Sequence, residues 1–383
     1  MATGDEGSGS SFTADSETSG TITDHTKTVY LTLLGGLVVG VLAGGSVRAQ
    51  SKVCDRACLE GFVEKYLDAA IAHNPKLLPL AKDVIFTENG QRLEIPDAHW
   101  KTATWKGKYR LFVTDPEAGQ VACIATIREE AGAFSPIALR LKVKKGQITE
   151  IETLVTRSTT PPGGGRSGGA AAPAFPSAAD SYEKLGVPNH VFLEAIPPAE
   201  RMSRKDLIRV ANMYFSGLEK NDGKGEYPFT DDCDRFEGGM QSTNAPLREG
   251  QKRPDPKTAT NYSANWSCKE QFESGLMHFV WRIRDRRFVA VDQERGIVFA
   301  FGFFDHALGS DRTFKTPDGR TVTGGPTDPY SWELAELFKV EKNKIRRIEA
   351  IMTRPPYGMN SGWSSWKDGL SSAARDVTMS GGK

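Results

Sequence analysis

What the 383-residue sequence lacks most plainly is net charge: 49 Lys and Arg against 48 Asp and Glu leave +1 at pH 7. Binding to nucleic acid draws on concentrated positive charge, and nothing in this charge balance points to such a partner. Residues 1–24 lack anything to bury, being mostly Gly, Ser, Thr, Asp and Glu, so they read as disordered or as an over-extended start of the reading frame. No histidine lies at ligand spacing from Cys54 or Cys58, so zinc is not expected there, and neither metal nor cofactor is expected elsewhere. Also missing is the strand-helix-strand spacing of parallel α/β folds. That leaves an α+β arrangement in which a helix is followed by antiparallel strands.

After Lys27 comes an apolar, Gly-rich run from Val29 to Val47, then Val47-Arg48-Ala49, with small or apolar residues where a signal peptidase reads. Residues 1–50 therefore read as a disordered N-terminus plus a secretory signal, and the mature protein is expected to be secreted or periplasmic. The alternative is a single membrane anchor, since the run just reaches about 18 residues; its five glycines favour cleavage. Any membrane contact would be through that uncleaved segment. Export makes the cysteines interpretable, because disulfides persist outside the reducing cytosol. Cys233 and Cys268 bracket a loop-rich segment and are the expected disulfide. Cys54 and Cys58 can bond only if the first helical turn is distorted, and Cys123 reads as a buried thiol.

The chain repeats itself. Lys142 to Arg157 and Lys339 to Arg354 agree at eight of sixteen positions, among them Ile148/Ile345, Glu152/Glu349 and Arg157/Arg354. Upstream, the apolar stripe Leu59, Phe62, Val63, Tyr66, Leu67, Ala70 recurs 148 positions later as Leu207, Val210, Ala211, Tyr214, Phe215, Leu218. Glu88 and Glu237 each stand just before a glycine turn, which suggests a structural hydrogen bond. Asp115-x-Glu-x-Gly119-x-Val and Asp292-x-Glu-x-Gly296-x-Val read as matching hairpins. Four blocks in one order, twice, predict two α+β domains at residues 53–157 and 202–364, paired as an intramolecular pseudo-dimer. Residues 158–201 form a Gly/Pro/Ala linker and an arm carrying Val191, Phe192, Leu193 and Ile196, and residues 365–383 a tail. Trp363 and Trp366 are expected to anchor on the second domain, with Ala373 to Lys383 loose.

The second copy is longer at about Ser242 to Ser267, with glycosylation acceptors Asn261-Tyr-Ser and Asn265-Trp-Ser if the host is eukaryotic, and at about Leu308 to Pro329. The pieces Cys233-Asp-Arg, Cys268-Lys-Glu-Gln-Phe, Arg284-Asp-Arg-Arg-Phe and Phe303-Phe-Asp-His resemble a group of secreted proteins from fungi and bacteria. The element order resembles the SnoaL-like, nuclear transport factor-like superfamily. That resemblance implies two tandem cone-shaped α+β barrels, helices packed on a curved antiparallel sheet. Superfamily members include ketosteroid isomerase, scytalone dehydratase, polyketide cyclases, an epoxide hydrolase and many non-catalytic binders. None of their catalytic motifs matches position by position, so no role is carried over.

The residues themselves offer one asymmetric constellation. The run Phe299 to His306 alternates Phe299, Phe301, Phe303, Asp305 on one face with Ala300, Gly302, Phe304, His306 on the other. Its equivalents in the first copy are Arg128 and Glu129, so an Asp305-His306 acid and base occurs once; the plain alternative for His306 is a hydrogen bond that ends the strand. Gly302 and Ala300 would leave room for a ligand. Phe279, Trp281, Arg284, Asp285, Phe301 and Phe303 are the expected substrate contacts. Arg282, Arg284, Arg286 and Arg287 read as an ion-pair ladder or as an anion grip. The expected function is a secreted, cofactor-independent isomerase, dehydratase or cyclase working by proton transfer on a small apolar molecule. The alternatives are a secreted small-molecule-binding protein or a surface interaction protein.

Overall fold

A computed structural model describes residues 54–130, 134–157 and 178–379. The proposed signal, the linker at residues 158–177 and residues 380–383 lie outside the described residues. The first copy opens with α1 (Arg56–Ile71), capped by the Asp55 carboxylate, which accepts from the Cys58 N–H. Because the cap sits at Asp55, Cys54 precedes the helix and bonds Cys58 without breaking a helical turn. Strands β1 (Leu80–Glu88) and β2 (Gln91–Leu93), the short helix α2 (His99–Thr102), and β3 (Ala103–Asp115), β4 (Gln120–Glu129), β5 (Phe134–Lys144) and β6 (Gln147–Val155) follow. They form one sheet in the order β2-β1-β6-β5-β4-β3.

Beyond the arm helices α3 (Ala178–Leu185) and α4 (His190–Leu193), the pattern returns. Helix α5 (Arg204–Leu218) is capped by Ser203, and β7 (Phe229–Glu237), β8 (Met240–Gln241) and α6 (Cys268–Glu273) lead to β9 (Arg282–Asp292) and β10 (Ile297–His306). A small hairpin, β11 (Thr313–Lys315) and β12 (Thr321–Thr323), fills the second insertion before β13 (Tyr330–Glu341), β14 (Lys344–Thr353), α7 (Trp366–Gly369) and β15 (Arg375–Asp376). The second sheet runs β15-β9-β10-β13-β14-β7-β8. The architecture is mixed α+β and mostly sheet, and both sheets are open at their edges instead of closing into barrels. No described helix is long and apolar enough to cross a membrane.

The repeat extends to atomic detail. Gly119 and Gly296 take φ of +62° and +61°, and a Cβ on either would meet the carbonyl oxygen of Val143 or Val340 at 2.6 or 2.5 Å. Only glycine fits both the backbone and the contact. In each copy the closing strand pairs in parallel with the first strand, Thr87 opposite Glu152 and Phe236 opposite Glu349. Both helix stripes are buried against their sheets.

A further core joins the outer faces of the two sheets. Tyr109, Leu111, Ile124 and Leu154 of the first copy pack with Val289, Phe299, Phe301 and Leu337 of the second, and Tyr182 and Phe192 of the arm join them. Leu193, in contrast, is exposed. Arg287 crosses this layer to both oxygens of Glu152 at 2.6 and 3.0 Å. The C-terminal segment does not stay on the second sheet. The Trp363 ring lies under the Arg140 guanidinium and its Nε1 donates to Thr87 Oγ1 at 2.8 Å, both on the first copy. Trp366 is exposed, and Arg375 and Asp376 form β15 beside β9 where a loose tail was expected.

Candidate functional site

The copies differ most around Tyr66 of α1 and its repeat partner Tyr214 of α5. In the first copy that space is filled. His99 Nδ1 lies 2.6 Å from Glu88 Oε2, and its Nε2 lies 3.1 Å from the Tyr66 hydroxyl, which also accepts from Trp100 Nε1 at 2.9 Å. Arg157 closes the group, 2.8 Å from Glu88 and 2.7 Å from Glu129. Each polar atom has a neighbour to match it, as a buried polar network requires.

In the second copy the surroundings of the tyrosine change. Phe86 faces Ile151 and Arg235 faces Ile348; because Ile151 and Ile348 are repeat partners, Arg235 stands in the place of Phe86. By the same registers Glu237 replaces Glu88, and Glu336, opposite Ala350, replaces Leu139, opposite Thr153. Beside them opens a cavity of about 200 Å³, whose lining includes Tyr214, Arg235, Glu237, Phe279, His306 and Tyr330 but not Glu336.

Arg235 is buried, with Nη2 donating to Gln271 Oε1 at 2.7 Å, Nε to Ser242 Oγ at 3.0 Å and Nη1 to the Tyr214 hydroxyl at 3.4 Å. Burial works against its charge, but its neighbours, Glu237 at 3.4 Å first among them, outweigh that and hold it protonated. Glu336 is also buried, and burial pushes its carboxyl up to about 8. The charge of Glu237 adds to that rise, while Arg235 and the Tyr214 hydroxyl offset part of it. Glu336 is therefore neutral at pH 7, and its Oε2 has no hydrogen-bond partner. Burial lowers the His306 imidazole to about 4, so that ring is neutral too, and its Nδ1 is unpartnered. The ring stacks on Tyr330 at 4.2 Å and on Phe279 at 5.8 Å, and Phe279 continues the stack to Tyr262 at 5.7 Å.

Residues 200–352 match a family model described as a domain of unknown function, DUF8021. The matched span runs from α5 to β14 and includes the cavity. No curated protein matches the chain. Among solved structures, AclR from Streptomyces galilaeus is similar at 11% identity over 26% of this chain and 80% of that one, with a TM-score of 0.21. A de novo designed protein with a curved β-sheet is similar at 15% identity over 40% and 88%, also with a TM-score of 0.21. At these scores the likeness carries no argument about activity.

The expected site residues divide between two places. His306 and Phe279 line the cavity, whereas Asp305 points to the opposite face of β10. There it accepts from Arg282 at 2.7 Å, Arg284 at 2.8 Å and Ser331 at 2.7 Å. Asp305 and His306 thus do not meet as an acid and base. Phe301 lies in the layer between the sheets, and Phe303 lies under Arg284, whose guanidinium is 4.4 Å from its ring and bonded to the Met359 and Gly369 carbonyls. The Trp281 ring sits under the Lys220 ammonium at 3.9 Å.

Asp285, at φ +51°, forms a bulge opposite Gly302 and is sequestered by Ser361, Ser364 and Arg375 of the C-terminal segment. The bulge breaks the two-residue alternation read from the sequence. Gly302 faces that bulge, and a Cβ there would make only an ordinary contact with the Arg284 carbonyl oxygen at 3.4 Å. The arginines are ion-paired: Arg282 and Arg284 with Asp305, Arg286 with Glu219, Arg287 with Glu152.

Tyr214, Arg235, Glu237 and Glu336 were not among the expected site residues. The signal for Glu336 is local, because in Trp332-x-Leu334-x-Glu336-x-Phe338 it is the one charged residue on an apolar strand face. Chemically, Tyr214 and Arg235 are two donors on the cavity wall with Glu237 beside them as an acceptor, and the neutral Glu336 is buried next to the Tyr214 hydroxyl, outside the lining. Among the described residues no His, Cys, Asp and Glu cluster has the geometry to hold a metal ion. Cys233 and Cys268 are bonded, and Cys123 is a buried thiol. The two disulfides are compatible with an extracellular or periplasmic location.

Proposed function

We propose that the second copy is a secreted proton-transfer enzyme of isomerase, dehydratase or cyclase type, acting on a small, largely apolar molecule in the cavity beside Phe279, His306 and Tyr330. On this reading each copy is a cone-shaped, SnoaL-like unit and the two form an intramolecular pseudo-dimer, the first as scaffold and the second as site. The observation that carries the proposal is Glu336: a buried carboxyl beside the Tyr214 hydroxyl, one of its oxygens without a partner and its titration pushed up to about 8, standing where the other copy has leucine. Leaving such a group unsatisfied costs about 1 to 3 kcal/mol, which a packing role does not repay.

In the proposed step the Tyr214 hydroxyl, which lines the cavity, gives its proton to a substrate oxygen and takes one from Glu336 behind it, a carboxylic acid kept neutral at pH 7. Tyr214 and Arg235 stabilise the charge that develops on that oxygen. Glu237, a carboxylate paired with Arg235, accepts the proton that leaves the neighbouring carbon, so the substrate neither gains nor loses a proton overall. His306, neutral and stacked, shapes the wall.

A second reading, a secreted binding protein that does not turn its ligand over, draws on the stacked rings Tyr262, Phe279, His306 and Tyr330. The test is to incubate wild type and Glu336→Gln with the small molecules of the source organism's culture medium and follow retention and conversion by mass spectrometry. Conversion that drops about 10²- to 10⁴-fold in the variant while retention persists supports the enzyme. Retention without conversion by wild type moves the protein to the second reading, and no retention at all overturns both.

A further inference from the structure

The cavity continues outward. Glu237 and Tyr262 line it and also line an open depression of about 970 Å³ on its outer side. That depression is built from the insertion at Ser242 to Ser267, which the first copy does not have. The insertion is held as a fixed wall. The Cys233–Cys268 disulfide ties its base, and buried Trp266 donates from Nε1 to the Pro254 carbonyl at 2.8 Å. Gln271 donates to the Ser242 and Ser263 carbonyls at 2.7 and 2.8 Å. Arg320, from the other insertion, grips the Ala259 and Pro256 carbonyls at 2.6 and 3.0 Å. Two insertions that buttress each other around one opening give a preorganised surface.

Size and polarity point to what fits there. At about 200 Å³ the cavity is smaller than the roughly 300 to 1,000 Å³ of sites that enclose a whole drug-sized ligand. An occupant of ordinary size fills it with one end and leaves the other end in the depression. In the depression the uncharged hydrogen-bonding side chains Gln241, Ser242, Gln251 and Asn265 stand beside apolar ones such as Met240 and Pro246, and its charges, Glu237, Arg248 and Glu249, are of both signs. Tyr262, 39% exposed, stands at the junction with its ring available. Amides and hydroxyls mixed with apolar groups beside an exposed aromatic ring suit a neutral group that has both hydroxyls and C–H faces better than a charged one.

We infer that the ligand is glycoside-like: an aromatic or other apolar head in the cavity and a sugar or similar polyhydroxylated extension in the depression, with Tyr262 as the platform between them. The inference rests on the proposed site for the head and adds the extension.

The probes are 4-nitrophenol and 4-nitrophenyl β-D-glucopyranoside, titrated calorimetrically into the full chain and into Ala264→Trp and Tyr262→Ala. Ala264 lines the depression and not the cavity, so tryptophan there fills only the outer space. The glucoside is expected to bind about tenfold more tightly than 4-nitrophenol, the worth of one or two net hydrogen bonds. Ala264→Trp should remove that advantage and leave 4-nitrophenol binding as in wild type, and Tyr262→Ala should reduce it. A glucoside that binds no better than 4-nitrophenol, or keeps its advantage in both variants, overturns the glycoside inference and leaves the cavity in place. If neither probe binds wild type, the inference and the reading beneath it both fail.

Discussion

Glu336 in β13 stands where Leu139 stands in β5, each one residue before the position that pairs with a repeated glutamate, Glu349 or Glu152. The leucine belongs to the first core, and the glutamate puts a carboxyl into the matching layer of the second. Its folded titration lies above the unfolded value, so this residue's contribution is most favourable below about pH 4.5 and is lost as pH rises through about 8. Glu336→Leu is therefore expected to gain stability over wild type progressively across that window, by up to several kcal/mol. Urea melts at pH 4.5 and pH 8 check it, and a difference that does not change with pH counts against it.

His306 has the opposite effect at the acid end. Its folded value near 4 is below the ordinary 6.5, so the stability linked to its neutral form is present above pH 6.5 and lost as pH falls toward 4. The loss is about 3 kcal/mol by the usual conversion. His306→Gln should flatten that part of the stability profile, measured by denaturant melts between pH 7 and pH 4.

The pair Arg287 and Glu152 links the two sheets through a dry layer. Glu152→Gln removes the closest counter-charge of the buried Arg287 guanidinium, leaving Asp285 at 3.4 Å, and is expected to destabilise by about 3 to 5 kcal/mol. Replacing both, Arg287→Met with Glu152→Leu, should recover most of that loss. A double variant as unstable as the single one would show that the pair acts through its other neighbours, Asp285 among them.

The Cys233–Cys268 disulfide closes a loop with a sequence separation of 35, which by loop-closure entropy is worth about 3 to 4 kcal/mol. Cys233→Ser with Cys268→Ser should lower the urea midpoint accordingly. Peptide mapping without reductant should find these two cysteines joined, and alkylation of both in exported protein would contradict the bond.

Much of this architecture was legible because it is written twice. The Tyr66 and Tyr214 stripes, the glycines at 119 and 296 and the closing strands repeat at fixed spacing, and repetition is visible without coordinates. What failed was the strict alternation along β9. A bulge at Asp285 shifts the side chains that follow to the other face, a second shift between Phe288 and Ala290 changes the alternation again, and bulges at non-glycine residues have no period to reveal them. The site was half legible. His306 and Phe279 stood out as a lone histidine and a strand aromatic, but Tyr214 looked like one more residue of a core stripe. Arg235 and Glu336 become conspicuous only when set beside Phe86 and Leu139, a comparison that needs the strand registers.

The claim at the centre is that a buried carboxyl behind Tyr214 of the cavity wall keeps its proton at neutral pH. The direct measurement is a carbon-13 NMR titration of the protein labelled at the glutamate carboxyls, with Glu336→Gln and Glu333→Gln assigning the two groups raised to about 8. The account predicts that one resonance titrating near pH 8 disappears in Glu336→Gln and that it moves when a ligand fills the cavity. A Glu336 resonance that titrates between pH 4 and 5, in the ordinary range of an exposed glutamate, would contradict it.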